Sequence, residues 1–208
     1  MTLYAWLTTS SVRNFPNTPP GPYQPLVLDG ALNETMSFQV ALRLVGEERR
    51  QVRVEAQVPA GWDLRIRRVG YVPVRHHNPP IDADTERAAS RGAGLPGYVP
   101  DPLFDEDHLL LPEAETHAFW ITVRPGTDAV PGTDEIEITV SPEDGAPLTR
   151  RALVRLHDVV LQPRQDFHIT HWFYVDSLID WYGTDLFDER FWAVLPNYIG
   201  DVVAHGQD

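Results

Sequence analysis

Met36-Ser37-Phe38-Gln39-Val40-Ala41-Leu42-Arg43-Leu44-Val45 is the stretch from which the fold is read. Met36, Phe38, Val40, Leu42 and Leu44 recur at every second position. An extended chain turns alternate side chains to opposite faces, so this spacing predicts a strand with one face in a core. Downstream, Val52, Val54, Ala56 and Val58 repeat the pattern, and Pro59-Ala60-Gly61 ends it. Leu64, Ile66, Val69, Tyr71 and Val74 predict another strand with an irregularity near Arg68. Phe119 to Val123 is a strand closed by Pro125-Gly126. Ile136, Ile138 and Val140 form the next, and Leu148 to Leu161 a long last one. Upstream, residues 2–8 read as a strand. Ser10 to Pro25, rich in Pro, Ser, Asn and Gly, reads as a loop.

Residues 76–115 interrupt this rhythm. They run from His76-His77-Asn78-Pro79-Pro80 through Gly92, Gly94 and Gly97 to Pro112, and are expected to form one long loop. After Pro163 the pattern changes. Phe167 to Val175 is almost continuously apolar and aromatic, as in a strand buried on both faces. Thr184 or Asp185 opens a helical segment with Asp188-Glu189 near its start. Phe191, Trp192, Leu195, Tyr198, Ile199, Val202 and Val203 recur at helical spacing. Pro196 is expected to kink or break that helix, and Gly206 to cap its C-terminus.

The expected fold class is therefore mostly β. An antiparallel, immunoglobulin-like β-sandwich spans 1–163, made of short strands parted by Pro/Gly turns. The first strand and helix of a (β/α)8 barrel follow over 164–208. A strand plus a helix is half of a βαβ unit, so the barrel is read as cut short at Asp208.

Composition narrows the function. The net charge is −13, and no basic run exceeds two residues. A nucleic-acid partner is not expected, because phosphate neutralisation needs a basic face. All the basic side chains are Arg, which a GC-rich genome accounts for. Cysteine is absent, so disulfides and thiolate metal sites are excluded. The N-terminus Met-Thr-Leu-Tyr-Ala-Trp lacks the basic and apolar regions of a signal peptide. No apolar run reaches the ~20 residues that span a bilayer. The expectation is a cytoplasmic protein with no membrane partner and no cofactor.

The tract His171-Trp172-Phe173-Tyr174-Val175-Asp176 carries the candidate chemistry. It falls at the C-terminal end of the expected barrel strand, the end that faces the active site in (β/α)8 barrels. Trp172 is a stacking surface for a sugar ring, and Asp176 an acceptor for hydroxyls. A packed core for Trp172 and a helix cap for Asp176 stand beside those readings. His168 and His171 fall on opposite faces of a strand, so no metal pair is expected there. His76-His77 fit a turn. Asp82, Asp84 and Glu86 fail the calcium-loop spacing, which needs Gly at position six and Glu at twelve. Glycosidases use paired carboxylates. Asp134-Glu135 and Asp188-Glu189 are such neighbours, and both have ordinary structural explanations. No metal site and no catalytic residue is assigned.

Three stretches resemble bacterial proteins that contain the DUF4091 domain, and through them the glycoside hydrolase family 123-like enzymes. Gly97-Tyr98-Val99-Pro100-Asp101-Pro102-Leu103 resembles a Tyr-Pro-Asp-Pro-Leu loop with one Val inserted. Phe119-Trp120-Ile121-Thr122-Val123 followed by Pro131-Gly132 resembles a sandwich strand and its turn. His171 to Asp176, with Phe191-Trp192 and His205-Gly206, resembles the first barrel strand and helix. The resemblance implies a β-sandwich packed on a catalytic (β/α)8 barrel. It also implies retaining β-N-acetylgalactosaminidase chemistry, in which the substrate's acetamido oxygen is the nucleophile and an Asp-Glu pair assists. That pair lies on a later barrel strand that no position here matches. Trp172 and Asp176 map to the cleft wall, and Asp101 joins them as a substrate-binding candidate.

The functional expectation is the N-terminal part of a glycoside hydrolase-like protein, inactive by itself, with a carbohydrate as partner. The alternative is a stand-alone carbohydrate-binding or protein-interaction sandwich, in which exposed aromatics such as Tyr23 or Tyr98 take part. Self-association through the apolar surface of Trp172, Phe191 and Trp192 is a further expectation.

Overall fold

The computed structural model describes residues 2–46, 49–74, 97–163, 167–170 and 172–207. The chain divides into two compact units, Met1–Leu161 and Gln162–Asp208.

The first unit contains ten strands: β1 (Thr2–Thr9), β2 (Leu26–Leu32), β3 (Met36–Val45), β4 (Arg50–Gln57), β5 (Asp63–Val74), β6 (Gly97–Phe104), β7 (His108–Leu111), β8 (Thr116–Arg124), β9 (Gly132–Pro142) and β10 (Leu148–Val160). They form two five-stranded sheets, ordered β1-β3-β8-β5-β6 and β2-β10-β9-β4-β7. The first is antiparallel throughout. The second is mixed, because β2 runs parallel to β10.

The alternation in β3 sets the register. Phe38 lies opposite Ile121 and Val40 opposite Phe119. All four are fully buried, and they share one core with Val52, Val54, Ile136, Ile138 and Val154 of the second sheet. Burying each such side chain contributes roughly 1.5–3 kcal/mol against the entropy of ordering it. The odd-numbered side of β3 makes a smaller cluster, in which Ala41 joins Trp6, Val69 and Ala118.

Three expectations are corrected. The segment 76–115 is not one loop: its described part holds β6 and β7. β6 tolerates Pro100 and Pro102 because it pairs on one side only, with β5, at the sheet edge. β2 was not expected. Gly30 interrupts the alternation of Leu26, Leu28 and Leu32, and the strand's partner β10 is remote in sequence. Residues 167–170 and 172–174 form no strand, and Phe167, Trp172, Phe173 and Tyr174 are exposed rather than buried. No described strand pairs with this tract, so its backbone groups have no ladder to join.

The second unit holds α1 (Asp176–Tyr182) and α2 (Glu189–Ala204). α2 starts later than Thr184, because Asp188 is its N-cap. The Asp188 carboxylate accepts from Phe191 N at 2.7 Å and from Thr184 Oγ1 at 2.6 Å. These bonds and the helix's own amides hold that carboxyl below its ordinary range. α2 runs through Pro196 without a break. It closes in a Schellman turn: Gly206 N donates to Val203 O and Gln207 N to Val202 O, with Gly206 at φ 80.

Candidate functional site

Within the second unit, Trp172 and Phe173 face one side of α2 across an open cleft of about 400 Å³. Tyr198, Ile199, Val202 and Val203 line the helix side, and Gln207 closes one end. These helix residues are the apolar face that periodicity marks as packed. Trp172 is 87% exposed, with the Tyr174 ring 6.4 Å away at a tilt of 38°.

The cleft wall is braced by aromatic contacts. The hydroxyls of Tyr182 on α1 and Tyr198 on α2 lie 3.0 Å apart, their rings edge to face. That hydrogen bond raises the Tyr198 pKa. Phe187, Phe191 and Trp192 form a second group, with Phe187 stacked on Trp192 at 5.7 Å and edge to face with Phe191 at 5.8 Å. Phe191 is buried, whereas Phe187 and Trp192 stay exposed.

Asp176 is the first residue of α1, and the N-cap position falls to Val175. Its carboxylate is exposed and is not a side-chain cap. Asp101 is exposed on β6 in the first unit. Of the further aromatic candidates, Tyr23 is engaged within the chain, lying over the Arg150 guanidinium at 4.7 Å. Tyr98 is exposed on β6. His76, His77, Asp82, Asp84, Glu86 and His171 lie outside the described residues. Among the described residues, no group of three or more His, Cys, Asp or Glu is placed to hold a metal ion. No described helix is long and apolar enough to cross a membrane.

Sequence reading missed the turn between β6 and β7. Asp105 meets Arg65 at 2.8 Å, Glu106 meets Arg68 at 2.5 Å, and Asp107 pairs with Arg53. β6 belongs to one sheet and β7 to the other, so three successive acids clamp the crossover to both. Exposed pairs of this kind contribute little stability each, ~0–1 kcal/mol. Their partners lie 38 to 54 positions upstream on β4 and β5, which no local pattern reveals.

Chemically, the α2 cleft offers aromatic faces, the Tyr198 hydroxyl and the Gln207 amide. None of its lining residues is a carboxylate. Glycosidic hydrolysis by an acid and a base needs two.

The chain is thus a two-sheet β unit followed by a helical unit with an aromatic cleft. Its fold is similar to that of a family 123 glycoside hydrolase from Clostridium perfringens, a structure described in terms of glycolipid glycan hydrolysis. The TM-score is 0.76 at 12% identity, and the match covers 100% of this chain but 37% of that one. A cohesin–dockerin complex from Clostridium thermocellum matches 76% of this chain and 100% of its own at 9% identity, with a TM-score of 0.35. The cupredoxin domain of amoB from Nitrosocaldus yellowstonii matches 66% of this chain and 65% of its own at 7% identity, with a TM-score of 0.33. Both scores are too low to define a shared fold. No protein-family model matches the sequence, and no curated protein matches it.

Proposed function

We propose that these 208 residues are the N-terminal portion of a glycoside hydrolase-like protein of the DUF4091-containing kind. In this reading an immunoglobulin-like sandwich spans 1–163, and 164–208 opens a (β/α)8 barrel. Trp172 and Asp176 supply part of a sugar-binding wall, and the catalytic carboxylates belong to sequence beyond Asp208. One observation carries the reading: the fold similarity to the family 123 enzyme extends over this whole chain and over only 37% of that enzyme. The exposed aromatic cleft around Trp172 supports it, because unpaired barrel elements leave such a face for neighbouring strands and substrate.

The reading frame past Asp208 is the direct test. It is expected to continue into strand–helix repeats carrying an Asp-Glu pair at a strand end; a stop codon immediately after Asp208 overturns the proposal. An assay of the 208-residue chain on an aryl β-N-acetylgalactosaminide is the second test. No turnover is expected, and turnover that survives repurification sinks the assignment of catalysis to a missing part.

A further inference from the structure

We propose a ligand site in the first unit, separate from the α2 cleft: a recess of about 230 Å³ on the outer side of the first sheet that takes one neutral, polyhydroxylated ring. The proposal rests on the carbohydrate reading above and assigns Asp101 a definite place in it.

The floor of the recess is apolar. Trp120, Val69 and Leu103 line it, and they belong to the small cluster outside the main core. Trp120 is only partly buried, so its indole presents an apolar surface of the kind on which the C–H face of a sugar ring rests. The rim is polar. Arg13 approaches from the loop after β1, and Asp101 from β6. Both are exposed, and among the described residues neither has a hydrogen bond or an ion pair. The other acids of that strand's end, Asp105, Glu106 and Asp107, are all committed to arginines. Arg13 and Asp101 are left for a ligand.

Both groups are held on stiff backbone. Arg13 stands between Val12 and Asn14, and Gln39 secures each of these neighbours. Gln39 Nε2 donates to Val12 O at 2.7 Å, and Gln39 Oε1 accepts from Asn14 Nδ2 at 3.2 Å. Asp101 stands between Pro100 and Pro102, whose own φ angles are fixed by their rings, at the bulge where the β5–β6 register shifts, with the Pro100–Tyr71 and Leu103–Val69 pairs on either side. Groups fixed before binding lose little entropy when they meet a ligand.

The chemistry selects the ligand class. A carboxylate accepts from hydroxyls, and a guanidinium donates up to five N–H groups to oxygen atoms. Hydroxyls on one ring serve both roles at once. Arg13 and Asp101 cancel in charge, which suits a neutral ligand. Pockets for drug-sized ligands measure roughly 300–1,000 Å³. The smaller recess admits one ring and not a chain.

Saturation-transfer NMR of the 208-residue chain with methyl N-acetyl-β-D-galactosaminide tests the site. Asp101→Asn and Arg13→Gln are each expected to weaken binding at least tenfold with no change in thermal midpoint, since both side chains are exposed. Val130→Ser, exposed and lining neither recess, is expected to leave this binding intact. Equal binding by wild type and both rim variants overturns the site. Absence of any transfer to the wild type overturns it too, and so does transfer to glycine in place of the glycoside. None of these results bears on the reading frame past Asp208, so failure of this site and failure of the proposed function remain distinguishable.

Discussion

Asn14 Nδ2 donates to Gln39 Oε1 at 3.2 Å, and both amides are buried, at 1% and 3% exposure. Gln39 Nε2 also reaches Thr9 O at 3.2 Å and Val12 O at 2.7 Å. The single Tyr71 O–H donor is shared between Asn14 O, at 3.0 Å, and Thr116 O. Arg43 Nη1 donates to Pro16 O at 2.9 Å. The loop after β1 is therefore pinned to the outer side of the first sheet by side chains from β3 and β5. Burial raises the Tyr71 pKa, so its hydroxyl stays a donor.

Gln39→Leu keeps the bulk and removes the three bonds that Gln39 makes. The Asn14 amide keeps Thr8 Oγ1 and Thr9 O keeps Val12 N, so Val12 O is the group that loses its partner. An unpaired group of this kind costs about 1–3 kcal/mol, which is the expected loss. Urea unfolding checks it: the midpoint falls while the slope stays, because the surface exposed on unfolding is unchanged.

Gly30 faces the core on β2, where Met36 fills its side-chain space. A Cβ at Gly30 would lie 2.2 Å from Met36 Sδ. Gly30→Ala is expected to destabilise by about 1–3 kcal/mol, the usual cost of overpacking. Combined with Met36→Val, which clears the contact, the two changes should cost less together than their sum. A double-mutant cycle measures this, and strict additivity would contradict the contact.

His117 gives a pH dependence with a definite sign. It packs edge to face on Tyr71 at 5.2 Å, its Nε2 lies 3.3 Å from Glu115, and its buried Nδ1 has no hydrogen-bond partner. Burial lowers its pKa, and this outweighs the raising effect of Glu115. The unfolded chain takes up the proton near the ordinary histidine value of about 6.5, the folded chain at lower pH. The unfolded state thus binds more protons in that window, so stability falls as pH drops below about 6.5. The lowered carboxyls of Glu106, Asp107 and Asp188 act only below about pH 5. Chemical denaturation at several pH values should show His117→Phe flattening the upper window and leaving the acid limb unchanged.

Asp188→Ala removes the α2 cap and frees Thr184 Oγ1 and Phe191 N. The expected cost is about 1 kcal/mol, confined to the second unit. Amide exchange should rise in the first turn of α2 and stay unchanged in β3 and β8. A uniform rise across the chain would mean that the two units unfold together.

Much of this molecule is legible along the chain. β3, β8 and β9 follow from period-two alternation, because a half-buried strand repeats its surroundings at every second residue. The helix at Phe191–Val203 and its capping glycine follow from the 3.6-residue period in the same way. β6 and β7 were hidden by prolines and by shortness, which edge strands permit. β2 was hidden by Gly30, whose missing side chain is supplied by Met36. The tract before α1 misled for the opposite reason: its residues have strand-like composition, yet a strand exists only where another strand completes its hydrogen bonds.

The sequence by itself determined the charge, the lack of thiol chemistry, the β-rich core and the change of pattern after Pro163. Each of these is local or a sum over residues. Only the tertiary structure decided which charges are committed and which are free. Asp101, Asp105, Glu106 and Asp107 look alike along the chain, and three of them meet arginines brought in from β4 and β5. It also decided that Arg13 and Asp101 rim one recess over Trp120. The β-sheet ladders set that meeting, joining residues far apart in sequence through backbone hydrogen bonds that any side chain allows.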